Sequence, residues 1–227
     1  MIYITGDTHG DITRFAKHLK KNDTLFILGD FGFLWDNSPA EKKLLKKLAK
    51  KKYTIAFLDG CHENYDLLEP YPHVTWQGGI AQHIAGNIYH LQRGEIYTVE
   101  DKTFLTIGGG ESPDFDIHRQ TGTWWEAETP TAAQMENAKA HLVDVNYRVD
   151  YILTHAPSAK ASGYLSRDGK LSGIHLLLNP LEDTVQYTRW YFGCLHIDRP
   201  ISAKHHAVFE DILPLPEQQP RHVRRKK

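Results

Sequence analysis

Hydrophobic positions at the start of the chain repeat one pattern. Short apolar runs at residues 2–5, 24–28 and 53–58 predict buried strands, and helical periodicity predicts helices from residue 11 to about 19 and from 39 to 51. A proline opens the second helix, where its fixed backbone angle suits the first turn. Strands that alternate with helices in this way are typical of a parallel sheet.

The rest of the chain mixes short strands with loops and helices. Turn residues between short apolar runs predict an antiparallel meander, and a closing hairpin follows later. We expect meander strands at 74–77, 82–84, 88–91, 95–99 and 103–107, loops at 108–129 and 156–172, helices at 131–146 and within 174–187, strands at 149–154 and 189–192, and hairpin arms at 200–203 and 207–212. These elements form a single α/β domain at residues 1–213, followed by a basic tail at 214–227 that we expect to be disordered.

Composition narrows the class of protein. Hydrophobic residues make up 41% and charged residues 24% of the chain, as in ordinary globular proteins, which excludes a fibrous or wholly disordered chain. The net charge of −1 gives no overall field that would attract nucleic acid or a membrane. No apolar run has the length of a membrane span, and the first residues do not form a signal peptide. Two cysteines are too few for a disulfide framework, so we expect a cytoplasmic protein.

Polar residues of one chemical kind follow five of the predicted strands. Each strand end leads into aspartate, histidine or cysteine, the side chains that bind zinc and iron. Because α/β sheets bind ligands beyond the carboxyl ends of their strands, we expect these side chains to meet at one edge. The set is too large for one tetrahedral ion and suits two ions that share a carboxylate. The candidate ligands are Asp7, His9, Asp30, Cys61, His155, Cys194 and His196.

The order of these motifs resembles the calcineurin-like metallophosphoesterase superfamily over about residues 1–212. The resemblance implies a β-sandwich flanked by helices, in four layers α/β/β/α, with two metal ions at the strand ends. The segments that carry it are Gly6-Asp7-Thr8-His9, Gly29-Asp30, Gly60-Cys61-His62-Glu63, Thr154-His155 and Gly193-Cys194-Leu195-His196.

Carried over by position, the resemblance implies two groups of metal ligands. Asp7, His9 and His196 would hold the first divalent ion. Asp30 would bridge both ions, and His155 would bind the second.

The resemblance also implies a reaction. His62 would be the general acid that protonates the leaving oxygen, oriented by Glu63 or Asp59. The protein would hydrolyse phosphate mono- or diesters by attack of a metal-bridging hydroxide.

Two positions depart from the family pattern. Cys61 stands where the family has asparagine, and Cys194 stands where it has histidine; both positions would bind the second metal. Thiolates favour iron or zinc over magnesium and manganese. We therefore expect two divalent transition-metal ions, with iron and/or zinc favoured and manganese less favoured. Inert buried cysteines and a disulfide between the two are the alternatives.

Further residues are candidates for contacts with the substrate. Arg93 and Arg119 could bind its phosphate, because guanidinium groups match phosphate in a bidentate manner. Exposed or turn arginines are the alternative. His90 and His118 lie in or near segments that could cover the site, and the Trp124-Trp125 pair could stack on a base or cap the cleft.

The sequence thus favours a metal-dependent phosphoesterase acting on a small phosphorylated substrate. One alternative is a scaffold whose metal site has decayed, but the intact His62 and the complete first-metal set argue against it. A nuclease is a second alternative, weakly supported by the lysine-rich helix at 39–51 and the basic tail. No feature indicates a membrane partner, and the oligomeric state cannot be read from the sequence.

Overall fold

The computed structural model describes residues 1–15, 19–112, 114–165 and 171–215. Most of the predicted tail therefore lies outside the described residues, as does part of the predicted helix at 11–19. A short 3-10 helix, Ile12–Arg14, occupies the described part of that segment. No helix in the described ranges is long and apolar enough to cross a membrane.

The strands in the described residues belong to two sheets. In chain order they are β1 (Ile2–Thr5), β2 (Thr24–Ile27), β3 (Thr54–Phe57), β4 (His73–Trp76), β5 (Gly79–Ala85), β6 (Ile88–Leu91), β7 (Ile96–Val99), β8 (Lys102–Ile107), β9 (Tyr151–Thr154), β10 (Arg189–Phe192), β11 (Arg199–Pro200), β12 (His205–Ala207) and β13 (Leu213–Pro214).

The described helices are short and mostly capped by polar side chains. Ser38 accepts a hydrogen bond from the Glu41 amide at the first helix, and Thr131 caps the fourth helix in the same way. The α-helices are α1 (Pro39–Leu48), α2 (Tyr65–Leu68), α3 (Phe115–Thr121), α4 (Ala132–Asp144), α5 (Ala159–Gly163) and α6 (Gly173–Thr184). A second 3-10 helix spans Glu126–Glu128.

Parallel strands at the centre of each sheet bring their carboxyl ends together. Sheet 1 has the strand order β13-β1-β2-β3-β6-β5-β4, and β1, β2 and β3 run parallel. Sheet 2 has the order β11-β12-β10-β9-β8-β7, and β8, β9 and β10 run parallel. Every side chain of β2 is buried, as expected for an inner strand covered on both faces.

Three hydrophobic clusters separate four layers. The middle cluster contains Phe26 from sheet 1 and Phe104 from sheet 2, so the two sheets pack face to face. On the outer face of sheet 1 a second cluster includes Leu48 of α1. On the outer face of sheet 2 a third cluster includes Leu142 of α4 and Leu178 of α6. This arrangement confirms the predicted α/β sandwich flanked by helices.

The predicted meander is only partly correct. Strands β4, β5 and β6 pair antiparallel in sheet 1, but β6 also pairs parallel with β3, and β7 and β8 form a hairpin in sheet 2. The closing hairpin exists, but its arms are β11 and β12 rather than the predicted 200–203 and 207–212, and β13 crosses back to pair with β1. The two predicted loops contain α3 and α5, each too short to give a clear helical period in the sequence.

Candidate metal centre and active-site cleft

The ends of five parallel strands place the candidate ligands at one edge of the sandwich. Four of these residues have left-handed backbones, with φ of 45° at His9, Asp30 and Cys194 and 50° at His196. Such conformations are costly for residues with a side chain, and they cluster at functional sites where the surrounding structure holds them in place.

A glycine makes the close approach of two strand ends possible. A Cβ atom on Gly60 would lie 2.0 Å from the Asp30 Oδ1 atom, so no other residue fits without moving the carboxylate. The same carboxylate accepts a hydrogen bond of 2.8 Å from the amide of His62. The strand end after β3 is thereby held against the one after β2.

The first group of ligands combines an aspartate with two histidines. The Nε2 atoms of His9 and His196 are 3.2 Å apart, and the His196 Nε2 atom is 3.2 Å from the Asp7 Oδ2 atom. One ligand atom from each of the three residues lies within 4.8 Å of the others. Asp7 is buried, whereas both histidines are exposed toward solvent. This is the first-metal set that the resemblance implied.

The second group surrounds Asp30 and spans both sheets. The His155 Nε2 atom, from sheet 2, is 3.7 Å from the Asp30 Oδ1 atom and 3.5 Å from the Cys61 sulfur. The Cys61 sulfur is 4.0 Å from the Asp30 Oδ2 atom. The other ring nitrogen of His155, Nδ1, is 2.9 Å from the Leu28 carbonyl oxygen. That contact orients the ring with Nε2 toward Cys61 and Asp30.

The chemistry of these side chains fits metal ions. The Asp7 Oδ2 atom is buried and accepts no hydrogen bond. Burial raises the pKa of Asp7 and of Asp30, but the charge of His155 together with the neighbouring histidines outweighs burial and leaves both pKa values below their usual range. Two buried, ionised carboxylates side by side require nearby positive charge. Divalent ions would supply it, and Asp7 would present the Oδ2 atom, which lies against the His196 ring.

Cys194 lies apart from the ligand groups. Its side chain packs against the hydrophobic cluster outside sheet 2, and burial raises the pKa of its thiol. Its backbone amide donates to the Asp7 Oδ1 atom at 3.3 Å. Within the described residues, no potential metal-binding group includes it, although Cys61 belongs to one. Both cysteines are free thiols.

His62 lies between the second group and an open cleft. Its Nδ1 atom is 2.9 Å from the Asp30 Oδ2 atom and 3.4 Å from the Cys61 sulfur. The hydrogen bond to Asp30, followed by the contact with Cys61, raises the pKa of His62 to about 10. Glu63 does not orient this ring, because its carboxylate accepts a 2.6 Å hydrogen bond from the Phe31 amide.

Arg93 does not reach the cleft, contrary to the prediction that it contacts phosphate. Its buried guanidinium forms an ion pair with Asp59, and it also donates to the Tyr65 hydroxyl at 3.0 Å and the Ala127 carbonyl at 2.7 Å. Asp59 is also 3.3 Å from the His90 ring. Asp59 and His90 therefore belong to a buried network below the site, and Asp59 does not orient His62.

The segment around α3 covers one side of the site. The His118 ring centroid lies 5.1 Å from that of His62, and its Nδ1 atom is 2.9 Å from the Thr123 hydroxyl. Arg119 is exposed, with its guanidinium 5.9 Å from the centroid of the Phe115 ring. His118 thus meets the expectation of a residue near the site, whereas the contact of Arg119 is with its own helix.

A cleft of about 620 Å³ begins at His62 and extends to α1. Its aromatic wall includes Phe33 and Trp35, which sequence reasoning did not single out. Their position in the sequence could have indicated that they line the cleft, because they follow directly after the Asp30 motif, where the chain leaves β2 beside the site. The lining residues are His9, Gly10, Gly32, Phe33, Trp35, Asp36, Ser38, Ala40, Glu41, Leu44, His62 and His118.

Comparison with known proteins identifies a family for the chain. No curated protein matches the chain. A solved structure of phosphopantetheinyl hydrolase from Mycobacterium tuberculosis is similar, with 14% sequence identity and a TM-score of 0.44, over 92% of this chain and 89% of that one. The sequence profile of calcineurin-like phosphoesterases matches residues 1–193, which include the first four motifs. The chain therefore belongs to the calcineurin-like phosphoesterase family.

Proposed function

We propose that the protein is a metal-dependent phosphoesterase that hydrolyses phosphate mono- or diesters. The observation that carries the proposal is the convergence of side chains from five strand ends around two buried carboxylates, Asp7 and Asp30. A scaffold would not need such a cluster beside an open cleft. Family membership supports the same class of reaction.

In this proposal, Asp7, His9 and His196 would hold one divalent ion, Cys61 and His155 would hold a second, and Asp30 would serve both. When bound, the ions activate water and neutralise charge on the phosphoryl oxygens. The Cys61 thiolate favours iron or zinc over manganese. A role for Cys194 as a further ligand remains a prediction from the resemblance, since its side chain packs elsewhere.

His62 acts as the general acid. Its Nδ1 atom is held by Asp30 at 2.9 Å, so the proton on Nε2 is the one available to a leaving oxygen in the cleft. The amide of His62 donates to the other oxygen of the same carboxylate, which fixes both the backbone and the ring. Proton transfer by a positioned side chain contributes about 10²–10⁴-fold to a rate.

The test is turnover by protein reconstituted anaerobically with iron(II) or zinc(II), on a panel of phosphate mono- and diesters. We expect His62→Ala to keep its metal and to lose about 10²–10⁴-fold in kcat for alkyl esters, with a smaller loss for p-nitrophenyl esters. His73→Ala, at an exposed histidine of β4, is the matched control. Absence of turnover with either metal would favour the scaffold alternative, and an equal loss for all leaving groups would contradict the acid role.

A further inference from the structure

The cleft beside His62 changes character along its length. At the site end it is lined by His9, His62 and His118. The segment 32–44 lines the rest with the apolar side chains of Phe33, Trp35, Ala40 and Leu44 and with the polar ones of Asp36, Ser38 and Glu41. No lysine or arginine lines it within the described residues. Because the general acid stands where the cleft begins, the leaving group of a bound ester would extend toward Trp35 and Leu44.

Trp35 is held in place from two sides. The carboxylate of Glu41 accepts hydrogen bonds from the amides of Trp35, of Asp36 at 3.2 Å and of Asn37 at 2.8 Å. On the other side, the Asn64 side-chain amide donates to the Trp35 carbonyl oxygen at 2.7 Å. These contacts fix the backbone that carries the Trp35 ring, and the Trp125 ring stands edge-on to it at a centroid distance of 6.1 Å. A ring held in this way loses little freedom when a ligand packs on it.

Away from the histidines at the site end, the charged side chains that line the cleft are the carboxylates of Asp36 and Glu41. Asp36 is exposed, and a hydrogen bond from the Ser38 amide lowers the pKa of its carboxyl. The lysines of α1 lie along a different groove, which shares only Ala40 and Leu44 with the cleft. Beyond the His62 end of the cleft, a second phosphate or a carboxylate on the leaving group would therefore meet the like charge of Asp36 and no lysine or arginine of the described ranges.

We propose that this cleft is a leaving-group pocket that selects phosphate esters with an uncharged leaving group bearing a flat aromatic ring, which packs on Trp35. The inference rests on the proposed function and adds the substrate class to it. It disfavours nucleic acid, whose next phosphates would pass Asp36, and it disfavours nucleoside di- and triphosphates for the same reason.

Binding of non-hydrolysable phosphonates to the metal-loaded protein, measured by calorimetry, tests the aromatic wall. Benzylphosphonate should bind roughly tenfold more tightly than methylphosphonate, the ratio expected from one stacking contact. In Trp35→Ala the ratio should fall to near one, while Trp35→Phe retains most of it and Trp76→Phe, on the distant strand β4, leaves it unchanged. A ratio that survives in Trp35→Ala overturns the proposal.

A second pair of probes tests the charge. Phenylphosphonate should bind more tightly than 4-carboxyphenylphosphonate. In Asp36→Asn the dissociation constants of the two phosphonates should differ less. Preferential binding of a single-stranded oligonucleotide that is lost in a Lys43→Glu and Lys46→Glu double variant would overturn the proposal in favour of nucleic acid.

Because binding is measured without turnover, aromatic preference in a protein that hydrolyses no ester would contradict only the proposed function. Turnover without a Trp35 effect would contradict only this inference.

Discussion

Replacement of Arg93 by methionine is expected to weaken the fold far more than the chemistry. The guanidinium is buried, and Asp59, its partner, is buried as well. Burial raises the pKa of Asp59, but the charge of Arg93 and the interactions with His90 together outweigh burial and keep that pKa below its usual range. Without Arg93, the buried carboxylate keeps the His90 ring and the Tyr65 hydroxyl as partners but loses its main counter-charge, so it must stay charged at a cost or take up a proton.

The expected loss is large by the standard of single substitutions. Removing one partner of a buried ion pair costs about 3–5 kcal/mol. The Ala127 carbonyl and the Tyr65 hydroxyl also lose the hydrogen bonds that Arg93 donates. Replacing both charged residues, as in Arg93→Met with Asp59→Asn, removes the uncompensated charge, so the double variant should be more stable than the sum of the two single losses predicts. A coupling energy of roughly 0.5–3 kcal/mol is typical of residues in contact.

Urea unfolding of the metal-free proteins measures these losses without the contribution of bound metal. The urea concentration at the midpoint of unfolding should be lower for Arg93→Met than for the parent protein. The dependence of the unfolding free energy on urea concentration should stay the same. For the folded fraction, KM for a phosphate ester should be close to that of the unmodified protein. Stability within about 0.5 kcal/mol of the parent, the range of ordinary surface changes, together with a raised KM would refute this reasoning. That result would restore Arg93 as a phosphate-binding residue.

Three further substitutions test the ligand set and a second buried network. Asp30→Asn should lose metal and activity together, as measured by elemental analysis after reconstitution, because it removes the shared carboxylate. X-ray absorption of the reduced, metal-loaded protein should show metal–sulfur scattering at about 2.3 Å that disappears in Cys61→Ser. Burial raises the pKa of Glu182, but hydrogen bonds from His205 and Ser158 outweigh it and lower that pKa from 4.5 to about 2. Glu182→Gln should therefore cost up to about 3 kcal/mol at neutral pH, a difference that shrinks in urea unfolding as pH falls from 4.5 toward 2.

Each of these expectations has a contrary outcome. Full metal occupancy in Asp30→Asn would remove this residue from the ligands. Sulfur scattering that persists in Cys61→Ser would move the thiolate role to Cys194, and its absence from the parent protein would exclude both cysteines. A loss of stability in Glu182→Gln that is independent of pH would mean that its charge contributes nothing.

The sequence predicted most strands, though not the arms of the closing hairpin, and it brought out five ligand motifs, because both depend on local pattern. Apolar runs mark strands, and polar residues after them mark the edge where parallel strands end. The sequence did not show which strands pair with each other. Residues 92–95 carry the chain from β6 in sheet 1 to β7 in sheet 2, and the same turn chemistry suits a continuous meander. Only the parallel pairing of β6 with the distant β3 separates these two arrangements.

The sequence also could not predict roles that depend on whether a side chain is buried. Arg93 and Arg119 have the same side chain, yet one is enclosed with Asp59 and the other is exposed on α3. Cys61 and Cys194 were both predicted to bind the second metal, but the Cys61 sulfur lies against Asp30 and His155, whereas the Cys194 side chain packs against the cluster outside sheet 2. The direction of a side chain at a strand end depends on how the neighbouring layers pack, which no short segment encodes.

The division of the ligands between two sheets has a consequence for how the protein assembles. Asp7, Asp30 and Cys61 follow strands of sheet 1, whereas His155 and His196 follow strands of sheet 2. Neither sheet alone holds a complete site, so tight metal uptake has to wait until the two halves have docked. Bound ions would then resist separation of the sheets, because their ligands come from both sheets. Chelation should accordingly speed the unfolding of the whole domain rather than loosen a single loop.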